Sequence, residues 1–227
     1  IHTNGLAAGT LVTDIVVWNV HIHDWGDDSP AAGENDAIGF KAAEYSTRHW
    51  VLDSHIHNLG GDSLTAGGNT STDPARPTFV YYGRNTLYSN KENCFDIKRA
   101  NDVVISENIC HTLVTSASSA GEGIVIHVGA KRVWAIFNTV YNVVLGITTT
   151  ESDGTYFIGN VVYDISASAF DVRGVTSTVF IVNNTVVNAD KCVSTSSGLS
   201  VGLDIQNNIF VDCITKTIHF TDSSPQA

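Results

Sequence analysis

The shortest segment with residue types able to do chemistry is Glu92-Asn93-Cys94-Phe95-Asp96-Ile97-Lys98, in which a carboxylate stands two residues from an ammonium. A base beside a cation suits removal of a proton alpha to a carboxylate, because the enolate-like charge that develops needs a positive neighbour. A Lys or Arg with a lowered pKa can itself act as that base. A second constellation is His21-Ile22-His23 and His55-Ile56-His57. Imidazole nitrogens suit Zn²⁺ or another transition metal, although aligned repeats also copy exposed residues that have no ligand.

Both constellations sit on a repeat. The segment His21 to Ser29 reappears as His55 to Ser63, an offset of 34 residues. A weaker unit, β-branched or aromatic residues alternating into an asparagine, runs through Val103 to Asn108, Val133 to Asn138, Tyr156 to Asn160, Val179 to Asn184 and Leu203 to Asn208. Asn19, Asp53 and Asn85 close three earlier units, giving eight. Each unit carries a second strand centred on Ile38, Leu64, Phe95, Ile124, Ile147, Phe170, Val193 or Ile218. Period-2 alternation at a repeat of about 23 residues excludes helical solenoids and predicts short strands stacked coil upon coil. The recurrent Asn predicts a side-chain ladder at a turn. Long insertions fall at Asp24 to Asn35, Gly67 to Pro77 and Thr112 to Gly121, all in units one to four.

Strand parity places the chemistry in outward columns. One reads Gly39, Thr65, Asp96, Val125, Thr148, Asp171, Ser194, His219; its neighbour reads Lys41, Gly67, Lys98, His127, Thr150, Arg173, Ser196, Thr221. An acidic column beside them reads Asp36, Asp62, Asn93, Glu122. Ionisable columns flanked by long loops predict a cleft on coils one to four.

The stacked, Asn-punctuated units resemble the right-handed parallel β-helix family, the superfamily that includes pectate lyases, over nearly the whole chain. The fold class implied is all-β: one parallel β-helix solenoid of about eight coils with an Asn ladder, spanning residues 1–227 and lacking capping helices of its own. The resemblance implies Ca²⁺-dependent lyase chemistry on an anionic polysaccharide, with Lys98 as the first catalytic candidate and His127 as partner acid or base. Asp62, Glu92, Asp96 and Glu122 are then the Ca²⁺ ligands, since hard carboxylate oxygens suit that ion. Lys41, Arg84, Arg173 and Trp25 are the candidate substrate-binding residues. Trp50, Trp134, Tyr81, Tyr82 and Tyr141 read by parity as packing, and His49 and His111 as incidental. Members of the fold also include structural fibre proteins, so the competing expectation is a non-catalytic surface subunit that self-associates through its β-helix ends, or a sugar-binding module.

Composition bounds the partners. The chain has 227 residues, 43% hydrophobic and 15% charged, with a formal net charge of −11, which opposes binding to nucleic acid. No apolar run approaches a membrane span, and the absence of Met suggests a processed or a partial chain. Secretion or surface display is expected, and Asn69-Thr70-Ser71 is a glycosylation-type triplet. Stacking distance excludes a Cys94–Cys192 bridge, leaving Cys94–Cys110 and Cys192–Cys213 or four free thiols.

Overall fold

The computed structural model describes residues 1–5, 10–26, 37–68, 75–116, 119–195 and 202–220. Its strands are all parallel to their neighbours, and they wind into a parallel β-helix. One sheet stacks eight strands in chain order: Val12–Trp18, Ser46–Leu52, Thr78–Gly83, Asn101–Ser106, Lys131–Ile136, Asp153–Ile158, Val179–Val182 and Leu203–Gln206. The second sheet has thirteen strands. In the first coils it consists of two rows, one containing His21–Trp25, His55–Leu59, Thr86–Tyr88 and Ile109–His111, the other Phe40–Ala42, Leu64–Gly67, Phe95–Lys98 and Glu122–His127. The rows fuse from Thr139–Thr150 onward, where single strands of up to 13 residues turn the same corner through a register irregularity.

Alternation drives the winding. Phe40, Leu64, Phe95, Ile124, Ile147, Phe170 and Val193 pair in register and are fully buried, forming one column of the core. Each such side chain contributes about 1.5–3 kcal/mol on leaving water. This column also corrects the register of coil one. The strand there is Phe40–Ala42, so Phe40 rather than Ile38 fills the core position. Lys41 pairs with Thr65 and therefore stands in the Asp96 column, not in the Lys98 column.

The turn after the eight-stranded sheet combines two stacked positions. The first is a left-handed corner, with φ between 52° and 59° at Asn19, Asp53, Arg84, Glu107, Phe137, Asn183 and Asn207, and 67° at Gly159. Asn and Asp tolerate this conformation through local hydrogen bonding, which explains much of their recurrence here. The next residue is Asn85, Asn108, Asn138, Asn160, Asn184 or Asn208, whose side chain turns inward. Asn108, for example, gives its backbone N–H and one amide proton to Asn138 Oδ1 and its other amide proton to the Tyr82 carbonyl, all at 2.9–3.0 Å. Asn19 and Asp53 occupy the corner position rather than this inner one. In the second coil the inner position is Ser54, whose hydroxyl accepts the Val20 N–H.

Two disulfides, Cys94–Cys110 and Cys192–Cys213, each link one coil to the next. The four cysteines are thus bridged rather than free. Asp36 and the Asn69-Thr70-Ser71 triplet lie outside the described residues, as do Ser196 and Thr221.

Candidate functional site

A groove of about 380 Å³ lies on the outer face of the row containing Leu64–Gly67, Phe95–Lys98 and Glu122–His127. Strand parity builds it. Phe95 and Ile97 enter the core, so Asp96 and Lys98 must point outward, while the pairings Asp96 with Val125 and Lys98 with His127 bring the histidine one coil along. Lys41, Asp62, Glu92, Glu122 and Arg173 also line the groove. Arg173 extends the site into the later coils, beyond the first four coils that the insertions mark.

Asp96 is the hub. It is only 3% exposed, and its two oxygens are divided between Lys98 Nζ at 2.5 Å and His127 Nε2 at 2.7 Å. Burial pushes its carboxyl pKa up, but the His127 hydrogen bond and the Lys98 charge outweigh that and hold it below the ordinary value. Lys98 shows the complement. Burial would lower its ammonium, yet the Asp96 carboxylate, with Asp62 and Glu92 further off, holds it above its ordinary value. Lys98 is therefore held as a cation, not as the lowered-pKa base that the sequence suggests.

Asp62 behaves oppositely to Asp96. Burial, and then the charges of Asp96 and Glu92, push its carboxyl well above the usual range. Its Oδ1 accepts both the backbone N–H and the amide of Asn93, and Asn93 Oδ1 in turn accepts the Glu122 N–H. The expected column Asp62, Asn93, Glu122 is thus a second hydrogen-bonded row at the rim of the groove. Thr65 lies between Lys41 and Asp96, and its buried hydroxyl has no hydrogen-bond partner. Sequence reasoning passes over this threonine because an isolated Thr on a strand carries no signal of its own.

The four carboxylates do not form a calcium cage. Both Asp96 oxygens are taken, one by Lys98 and one by His127, Asp62 Oδ1 is engaged by Asn93, Glu92 accepts from Ser116 and Glu122 from Thr148. Among the described residues no group of three or more His, Cys, Asp or Glu side chains closes around a point where a metal ion would sit. This donor set does not fit Ca²⁺, and no step below passes through one.

Other candidates lie elsewhere. Arg84 sits at the left-handed corner and clasps Asp53 through two hydrogen bonds of 2.7 and 2.9 Å, away from the groove lining. Trp25 is 62% exposed and borders a separate hollow with His21 and His23. His23 and His57 head an outer stack of rings that continues through Tyr88, His111, Tyr141 and Tyr163 at centroid spacings of 4.5–5.3 Å. His111 is therefore part of a ladder rather than incidental, Tyr141 packs in that same outer ladder, and their ring faces are taken up by one another. His49 is fully buried in the core with neither ring nitrogen bonded.

Among the described residues no helix is long and apolar enough to cross a membrane. No family model matches the chain, and no curated protein matches it. Solved structures do. The Streptococcus pneumoniae surface protein and adhesin PfbA overlays 92% of this chain and 67% of its own length at a TM-score of 0.62 and 12% identity. The catalytic unit of a thermostable GH87 α-1,3-glucanase from Streptomyces thermodiastaticus overlays 93% of this chain at 0.58 and 17% identity. The A-module of the mannuronan C-5 epimerase AlgE6 from Azotobacter vinelandii overlays 94% at 0.53 and 16% identity. The chain spans 44% and 65% of the last two. At these identities the likeness is one of fold, and the fold it shares with them is the parallel β-helix.

Proposed function

We infer that this protein is a secreted or surface-displayed β-helix that processes an anionic polysaccharide by removing the proton next to a uronate carboxylate. The observation that supports this most is the buried Asp96 carboxylate shared by Lys98 and His127 in one groove. An ionised Asp96 accepts the Nε2 proton of His127, which leaves Nδ1 as the nitrogen free to take a proton. Lys98, kept charged, neutralises the substrate carboxylate and the enolate that forms, with Lys41 and Arg173 on the same face binding further along the polymer. Asp62, whose carboxyl burial pushes well above the usual range, is the group to hand a proton to the departing glycosidic oxygen, completing β-elimination. The Thr65 hydroxyl offers a hydrogen bond to the sugar.

Adhesin and carbohydrate-enzyme structures among those sharing the fold, and two disulfides, agree with an extracellular setting. The test is incubation with pectate, alginate and related polyuronates, following the ultraviolet absorbance of unsaturated products and deuterium uptake from heavy water. Deuterium uptake catches proton removal even when no bond is cleaved. Absence of both across the panel would sink the reading. The competing structural reading draws on Ile209, Ile214 and Phe220, which are 59%, 71% and 63% exposed on the last described strand. It expects concentration-dependent filaments by light scattering, and no chemistry.

A further inference from the structure

The pair of His-x-His segments forms a surface that the groove chemistry does not use. We propose that His21 and His57, with His23 beside them, bind a divalent transition-metal ion such as Zn²⁺ or Cu²⁺. In a strand, residues two apart share a face, and here two such pairs lie in register on adjacent strands, His21 with His55 and His23 with His57. Three of the rings are mutually close: His21 to His23 is 4.4 Å between centroids, His21 to His57 is 4.8 Å, and His23 to His57 is 5.3 Å.

Two of the nitrogens also approach one another directly. His21 Nε2 and His57 Nε2 face one another at 2.6 Å. Two imidazole nitrogens can share a single proton at that distance, whereas a tetrahedral ion bound by both at about 2.0–2.1 Å needs them roughly 3.3 Å apart. Opening the pair by less than about 1 Å therefore admits the ion. His23 is oriented from behind, because its Nδ1 bonds the Asp24 carboxylate at 2.8 Å and Asn58 holds that carboxylate at 2.9 Å. A carboxylate on the far nitrogen fixes the tautomer and leaves Nε2 as donor, an arrangement common behind metal-bound histidines. His57 is braced by stacking on Tyr88 at 4.5 Å. The rings do not close around a point as they stand, so binding requires them to draw together. The hollow of about 340 Å³ bordered by His21, His23 and Trp25 gives it access.

Zn²⁺ titrated against a chromophoric chelator at neutral pH is expected to show one tight equivalent per chain. The double variant His21→Ala/His57→Ala should lose it, Asp24→Asn should weaken it by about tenfold, and His111→Ala, elsewhere on the ring stack, should leave it unchanged. Equal binding by the wild type and the double variant overturns the proposal, as does an equal loss in His111→Ala, which would mean that scattered surface histidines bind. Cu²⁺ bound to the unaltered chain gives a readout that does not depend on variants folding. Nitrogen couplings from at least two imidazoles in its electron paramagnetic resonance spectrum are expected, and oxygen donors alone would refute the site.

Discussion

Asp96-Ile97-Lys98 and Asp171-Val172-Arg173 are the same pattern three coils apart, in the same two outward columns. In both, the basic residue reaches the carboxylate of its own strand, Lys98 Nζ at 2.5 Å and Arg173 Nη2 at 2.8 Å. The carboxylates nevertheless diverge. Asp96 is held below its ordinary pKa, while at Asp171 burial wins over Arg173 and the carboxyl is raised. The difference is His127, which gives Asp96 a second hydrogen bond from the next coil. A local motif supplies the ion pair, and the neighbouring coil decides whether the charge is comfortable.

The strongest way to break this contrast is Asp96→Asn. It leaves Lys98 without its counter-charge and His127 without its acceptor, and polyuronate turnover should fall by about 10²–10⁴. Stability should drop by about 3 kcal/mol at neutral pH. Because the pKa of Asp96 is depressed on folding, its stabilisation is present above the unfolded value of 3.8 and is lost as pH falls through the folded value. The variant's deficit in urea melts should accordingly shrink toward strong acid. A deficit independent of pH would mean that packing, not charge, is at stake.

A milder change sharpens the comparison. His127→Gln keeps a hydrogen-bond donor near Asp96 but removes the proton-accepting nitrogen. Turnover should fall about as far as in Asp96→Asn, whereas stability should change by about 1 kcal/mol or less. The smallest effect is expected at the other copy. Asp171 has a raised pKa, so its contribution is favourable below about 3.8 and is lost as pH rises. Asp171→Asn should leave stability at neutral pH unchanged or slightly higher, and turnover within about twofold. Equal damage from Asp171→Asn and Asp96→Asn would erase the distinction drawn here.

Much of this arrangement is legible in the sequence because parity is a local property. The outward direction of Asp96, Lys98, His127 and Arg173 follows from alternation alone, and so does the burial of Phe95, Ile124 and Phe170. Register was recoverable wherever the spacing between turn and strand was regular. It slipped at Lys41, where an insertion separates the strand from its turn and Ile38 and Phe40 are equally good apolar centres. The turn itself misled in a different way, since Asn and Asp serve both the left-handed corner and the inward amide position beside it. The choice between the two is made by hydrogen bonds to another coil, as Asn19 and Asp53 illustrate. The charge state of Lys98 was not legible either, because it depends on Asp62 and Glu92 as well as on its own strand.

The row of inward asparagines limits how such a chain can change length. From Asn108 onward each amide oxygen receives two protons from the coil before it, Asn85 at the head of the row taking one from the Ser54 N–H, and each amide nitrogen completes a bond to the preceding coil's carbonyl, so no asparagine is satisfied by its own turn. Removing one residue from a coil would point an asparagine outward and strand polar groups on the coils above and below. Removing a whole coil would simply join two equivalent ends. Size in this protein is therefore quantised: duplication or loss of complete turns preserves every bond in the row, and intermediate lengths must be absorbed by loops such as the one that brings Ser119 to the groove.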